Sequence, residues 1–204
     1  MTRRPAPFRR PRLARRLAAA PDGAAVVEFA IVAPVFLILL LGIFDIGQMV
    51  YAKAILSGAV EKAARSGSLE AADTAAADEA VKAAILPILP QATVTTSRRS
   101  YFDFTDVARP EKWTDTNLNG TCDDGEPYVD ENRSGQWEQD VGKAGNGGAG
   151  DVVLYTVTVT YKPLFTAKFF SDYNADRTLS AVGVRKNQPF ANQTAYGSSA
   201  GSCM

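Results

Sequence analysis

Apolar and polar residues are sorted along this chain in blocks. Ala24 to Phe44 is a run of 21 residues with a single charge, Glu28, and Phe29–Phe44 carries none. About 20 apolar residues cross a bilayer as a helix, so the run is long enough to span one. Pro34 is tolerated there as a kink. Beyond Phe44 the apolar residues become periodic. Ile46, Met49, Val50, Ile55, Leu56 and Val60 keep a helical stripe, with Lys53, Glu61 and Lys62 elsewhere on the surface. The helix is therefore predicted to continue until Ser66-Gly67-Ser68 breaks it. Leu69–Leu86 is alanine-rich, with acids early, Lys82 late and prolines at 87 and 90. It predicts a second helix whose charges suit its dipole.

The period then changes to two. Ala92–Thr96 alternates threonine with apolar residues, Tyr101–Phe104 is aromatic, and Asp151–Tyr161 (DVVLYTVTVTY) is the strongest strand in the chain. Thr178–Arg185 is a weaker strand that would pair with it. Leu164–Phe170 reads as a short helix or a loop, residues 113–150 as loop, and the last fifteen residues as a mobile tail. The fold class is α+β: a long N-terminal transmembrane helix continuing into a body with a small antiparallel sheet. The expected divisions are a leader at 1–23, the spanning and extended helix at 24–68, an exported body at 69–190 with an acidic loop at 113–141, and a flexible tail at 191–204.

Charge sharpens this picture. The formal net charge is zero, but residues 1–23 hold seven arginines against Asp22, and residues 101–140 hold eleven acids against Arg109, Lys112 and Arg133. A basic leader before an apolar run predicts a cytoplasmic N-terminus and an exported body. An acidic body argues against a nucleic-acid partner. The chain has no histidine, which removes the usual general base and the commonest transition-metal ligand. With no G-x-S-x-G and no phosphate-cradling glycine loop either, no enzyme activity is expected. Cys122 and Cys203 are far apart in sequence. In an exported body they are permitted to form a disulfide or to remain apart.

The segment Gly23-Ala24-Ala25-Val26-Val27-Glu28-Phe29 carries the most specific signal. An acid inside an apolar span is costly, about 2.5 kcal/mol or more if it were central in the bilayer, so such residues are usually kept for a partner. A basic leader ending in glycine, an acid five residues on, an aromatic beside it and an apolar helix resemble a type IV prepilin. Glu28-Phe29, then Ala33-Pro34, the leucine-rich run and Gly42-Ile43-Phe44-Asp45-Ile46-Gly47 resemble the TadE-like pseudopilins of tight adherence (Tad, or Flp) pilus systems. The resemblance covers about residues 22–60. It implies cleavage after Gly23 by a prepilin peptidase, leaving Ala24 as a free amine and Glu28 as the fifth mature residue. It also implies a place in the bacterial inner membrane, with other pilins or pseudopilins and the assembly machinery as partners. Phe29 stands where the major pilins of these systems carry tyrosine, and the body is much longer than theirs, which points to a minor component. The alternatives are an uncleaved signal anchor, or a signal peptide cut after Ala52-Lys53-Ala54. For the latter the apolar run is long, and Asp45 and Gln48 interrupt the approach to the site. By helical rise Asp45 lies roughly 25 Å from Glu28, near the outer interface, either solvated or packed on a partner.

A second motif lies in the acidic stretch. Residues 115–126 fit D-x-[DN]-x-[DN]-G-x5-E without a mismatch. Calcium loops of this spacing draw oxygens from positions one, three, five, nine and twelve and a carbonyl from position seven, with glycine at six for the turn. Here these are Asp115, Asn117, Asn119, Asp123, Glu126 and the Thr121 carbonyl, with Gly120 at the turn. Fifteen residues later Asp130, Asn132, Ser134, Gln136 and Glu138 begin the same pattern, but the twelfth position is Val141, so Glu138 or Asp140 would have to substitute. The two segments look like a tandem. A structural calcium ion is expected at the first loop and, more weakly, at the second; a solvated acidic turn is the alternative. A membrane-anchored, calcium-dependent binding module is the competing function.

Overall fold

The computed structural model describes residues 21–70, 72–165, 175–189, 192–193 and 197–204. The leader arginines lie outside the described residues, as do residues 166–170 of the Leu164–Phe170 segment. The chain divides into two compact units, Met1–Gly47 and Gln48–Met204. Helix α1 runs over Pro21–Gly67 and contributes to both.

In the first unit the helix carries apolar side chains on every side, and Val26, Phe29, Ile31, Val35, Leu39 and Ile43 are all exposed. A helix apolar all round is stable only against other apolar matter, a protein core or lipid. Its most apolar window has a mean hydropathy of 2.7 and none of that window is buried. Among the described residues this is the one helix long and apolar enough to cross a membrane.

The second unit is an α+β body. The end of α1 supplies Ala52, Leu56, Val60, Ala63 and Ala64 to its core, a stripe repeating at the helical spacing. Of the expected stripe, Leu56 and Val60 are buried and Ile55 packs against the core, whereas Ile46 and Val50 are exposed. Small alanines take the other buried positions, Ala64 where α1 passes close to Gly183. Helix α2 (Thr74–Ile85) starts later than its composition suggests, at Asp73, whose carboxylate accepts from the Ala76 N–H at 2.9 Å. That cap satisfies one of the free N–H groups at the helix start. Ala77, Val81 and Ile85 face the core.

The sheet has the order β3-β1-β4-β5 with every pairing antiparallel. Its strands are β1 (Thr93–Tyr101), β3 (Lys143–Ala144), β4 (Val152–Tyr161) and β5 (Arg177–Lys186), with β2 (Pro127–Asp130) outside it. The period-two pattern of β4 is realised directly: Tyr155, Val157, Val159 and Tyr161 are buried, while Thr156, Thr158 and Thr160 face away from the core.

Between helix and sheet sits one buried polar network. Asp78 accepts hydrogen bonds from Arg98 (2.6 and 2.9 Å), Tyr155 Oη (2.6 Å) and Thr96 Oγ1 (3.1 Å). The Arg98 guanidinium also lies over the Tyr155 ring, 4.1 Å from its centre.

Two expectations need correction. The 113–150 stretch is not all loop, since it holds β2 and β3. Nor are residues 199–203 a mobile tail. Ser199–Ser202 forms β6, antiparallel to β2 in a separate two-stranded sheet, and Cys203 is disulfide-bonded to Cys122. A polar, small-residue strand carries no hydrophobic alternation to announce it, and its order comes from pairing and the covalent bond.

Candidate functional site

Gly23 to Phe29 form the first turns of α1. Ala24 and Glu28 are four residues apart, so they share one helix face a single turn from each other. Ala24, Glu28 and Phe29 are exposed. If the chain is cut before Ala24, the new amine and the Glu28 carboxylate fall one turn apart on an otherwise apolar helix.

The acidic stretch shows an order that the motif alone did not reveal. Residues 111–125 (EKWTDTNLNGTCDDG) and 126–140 (EPYVDENRSGQWEQD) are two fifteen-residue repeats, each opening E-x-aromatic-x-D. The two openings pair antiparallel. Thr114 N–H donates to the Pro127 carbonyl at 2.9 Å, Val129 N–H to the Lys112 carbonyl at 2.8 Å, and Trp113 is bridged to Tyr128. Adding fifteen to the donor's number and subtracting fifteen from the acceptor's turns the first hydrogen bond into the second, so a local two-fold relates the repeats.

The loops match residue by residue. Asp115 accepts from the N–H groups of Asn119 and Gly120, and Asp130 from those of Ser134 and Gly135. Asn117 Oδ1 accepts from Asn119 N–H, and Asn132 Oδ1 from Ser134 N–H. Asn117 Nδ2 donates to Asp123 and Asn132 Nδ2 to Glu138, both at 2.6 Å. Gly120 and Gly135 have φ of 79° and 81°, and Leu118 and Arg133 have φ of 61° and 62°. The left-handed region is natural for glycine and costly for leucine or arginine, so both loops hold the same strained turn.

The repeats exchange their glutamates. Glu126, which opens the second repeat, closes the first loop: its carboxylate accepts from the N–H groups of Thr116 and Asp123 (2.7 and 3.1 Å) and from Thr116 Oγ1. Glu111, which opens the first repeat, takes the same place in the second loop, accepting from the N–H groups of Glu131 and Glu138 (2.8 and 3.2 Å). Glu111 is fully buried and Glu126 is 4 % exposed. Burial pushes the Glu111 carboxyl above the usual range against the pull of its N–H donors, whereas the Thr116 hydroxyl and N–H hold Glu126 below it. The Asn117 and Asn119 amides likewise lower Asp123.

Asp140 is directed elsewhere. Its carboxylate meets Tyr101 Oη (3.1 Å), Arg99 (2.9 Å) and the Gly142 N–H (3.0 Å). The residue standing where a second closing carboxylate belongs is therefore Glu111. Its signal was legible as the fifteen-residue spacing from Glu126, but it precedes the loop it serves.

The donor set suits a hard cation: carboxylates and amide oxygens at positions one, three, five and nine, a carbonyl at seven and a glutamate closing the loop. Among the described residues, no three acidic, cysteine or histidine side chains already converge as a cage. In both loops the oxygens are instead tied to amide donors. Asn117 Nδ2 and Asn119 Nδ2 both donate to one oxygen of Asp123, and a cation would turn these amides to present oxygen.

The sequence profile described as TadE-like protein matches residues 23–65. The match covers the apolar span and nearly all of the rest of α1, including its core residues Ala52 to Ala64, and bears out the resemblance read from Glu28-Phe29 and the Gly42–Gly47 segment. The likeness is confined to residues 23–65, which are similar to the TadE-like family. No curated protein and no solved structure gives a significant match.

Proposed function

We propose that this chain is a minor pseudopilin of a tight adherence pilus, cut after Gly23 by a prepilin peptidase and acting in assembly or anchoring of the fibre. The observation that carries the reading is the TadE-like match over 23–65, with Glu28 as the one charge between Gly23 and Phe44. The cleaved helix lies in the inner membrane with the body outside it. It packs laterally against other pilins, and Glu28 neutralises an N-terminal amine, its own or a neighbour's. In a low-dielectric setting such pairing offsets much of the cost of an isolated carboxylate. Sequencing the N-terminus of the membrane-bound form tests the cleavage: the reading expects Ala24, and an intact leader in cells with active prepilin peptidase overturns it. A Glu28→Ala chain should still be cut but fail to support pili; normal piliation would sink the assembly role.

The exchanged glutamates support a second reading, in which the acidic module takes two structural calcium ions and the body is a calcium-dependent binding module. Asp115, Asn117, Asn119, Thr121, Asp123 and Glu126 hold the first ion. Asp130, Asn132, Ser134, Gln136 and Glu138, closed by Glu111, hold the second. The cations relieve repulsion among the nine acids of residues 111–140 and fix the module's outer surface. Its test is the melting temperature of the full chain with calcium and with chelator, where an unchanged value rejects a structural site.

A further inference from the structure

We infer that the Cys122–Cys203 disulfide is a redox latch on the acidic module, whose reduction frees β6 and loosens residues 111–141 while the helix-and-sheet body stays folded. The strand it locks touches the module along its whole length. Cys203 N–H donates to the Glu126 carbonyl at 2.8 Å, and its own carbonyl accepts from Gly125 N–H at 3.0 Å. Gly201 lies under the Tyr128 ring so closely that a Cβ there would sit 2.3 Å from it. Ser199 Oγ donates to Asp130 at 3.3 Å, and Gly197 abuts the Arg133 guanidinium. The strand thus bridges the end of the first loop and the beginning of the second.

Little else holds it there. The segment Ser199–Ser202 is small and polar, and its hydrogen bonds to β2 join a sheet of only two strands. A two-stranded ribbon is marginal by itself in water. The body, in contrast, keeps its own core of Leu56, Val60, Val81, Ile85, Val157 and Val159, none of which lies in the module. The bond closes a separation of 81 residues, so breaking it returns a large freedom to the strand.

A dithiol supplies the chemistry. Its thiolate attacks the half-exposed Cys122 sulfur and displaces the buried Cys203 thiolate, which takes a proton. The second thiol of the reductant then resolves the mixed disulfide, releasing Cys122 as a thiol and leaving the reductant oxidised by two electrons. A cavity of about 280 Å³ lined by Cys122, Gln136, Trp137, Ser202 and Cys203 gives access.

The chain carries its own reporter. Its two tryptophans, Trp113 and Trp137, both lie in the module, with ring centres 5.1 Å apart. The full chain in detergent micelles, with chelator present so that the result does not depend on calcium, is titrated with a dithiol buffer. Tryptophan emission, far-ultraviolet circular dichroism and peptide-resolved hydrogen exchange are followed together. On full reduction, exchange should rise about ten-fold or more in 111–141 and 197–203, with the emission shifting in step, and stay within about two-fold in 93–101, 152–161 and 177–186. A Cys122→Ser, Cys203→Ser chain should match the reduced protein. Unchanged emission and exchange in the module after complete reduction overturns the latch, and so does melting of the whole body along with it.

Discussion

Glu111 and Glu126, fifteen residues apart, occupy equivalent places in successive loops, each closing the loop built by the other's repeat. The exchange links the two loops mechanically. Neither can lose its closing carboxylate without disturbing the paired openings at 112–114 and 127–129, from which both glutamates project. It also explains how a second loop without an acid at its twelfth position keeps the same turn, including left-handed Arg133.

A calcium titration by calorimetry should therefore give two equivalents for the parent chain and one for Glu111→Gln. A parent chain that takes one ion, with Glu111→Gln unaffected, would reject the exchange as a binding device. Apart from any ion, Glu111→Ala leaves the half-buried N–H groups of Glu131 and Glu138 without their acceptor. This should lower stability by about 1–3 kcal/mol, read as an earlier melt in chelator.

Asp78 joins helix α2 to the sheet through Arg98, Tyr155 and Thr96, and both members of the ion pair are largely buried. Burial alone would raise its pKa, but the bonds from Arg98 and Tyr155 outweigh this and hold it below the usual value. A carboxyl whose folded value is depressed contributes its full stabilisation above the unfolded value of about 4, and loses it as pH falls through the folded value. Asp78→Asn should thus flatten the acid limb of the body's stability profile. Asp78→Ala, which strands a buried guanidinium, should cost about 3–5 kcal/mol at neutral pH. Denaturant titrations of the full chain at pH 7 and near pH 3 measure both.

Tyr101 tests the same logic at the alkaline end. Burial, and then the hydrogen bond to Asp140, push its hydroxyl up to about 12. A raised folded value means that this contribution is complete below the unfolded value of about 10 and disappears as pH climbs through the folded one. An absorbance titration should show a phenolate step near 12 that is absent in Tyr101→Phe. A Tyr101 that ionises with the solvent-exposed phenols would contradict the buried contact.

What was legible in the sequence follows from which forces act locally. The unbroken apolar span, the alanine-rich α2 segment and the alternation of Asp151–Tyr161 are local signals, and each appears as an element. The span's head, Gly23 to Phe29, was readable because costly residues in an apolar run stand out. Strand β6 was not, since Ser199–Ser202 has no pattern of its own and is ordered by β2 and by Cys122 far away in the chain. The closing role of Glu111 was half visible: the fifteen-residue repeat is in the sequence, but a loop motif reads forward, and this glutamate lies nineteen residues before the first loop-two residue it would follow in a linear reading. The shift of the buried stripe from Ile46 and Val50 to Ala52, Ala63 and Ala64 depends on how closely α1 approaches β5, which hydrophobicity does not encode.

That approach is set by one glycine, which supplies the sharpest packing test. A Cβ built on Gly183 of β5 would lie 2.9 Å from Ala64 Cβ and 3.4 Å from Val60 Cγ1. Helix and strand would have to separate to admit any side chain, and the close-packed core of Leu56, Val60, Tyr155 and Val157 would lose contacts as they did. Gly183→Val should destabilise the body by about 1–3 kcal/mol through overpacking, although valine is the better strand former. Removing the opposing methyl with Ala64→Gly costs about 1 kcal/mol of helix propensity alone. Combined with Gly183→Val, it should cost less than the sum of the two changes, with a coupling of about 0.5 kcal/mol or more. Thermal melts of the four chains in one detergent complete the cycle. Strict additivity would show that the helix–strand spacing is not what keeps position 183 a glycine.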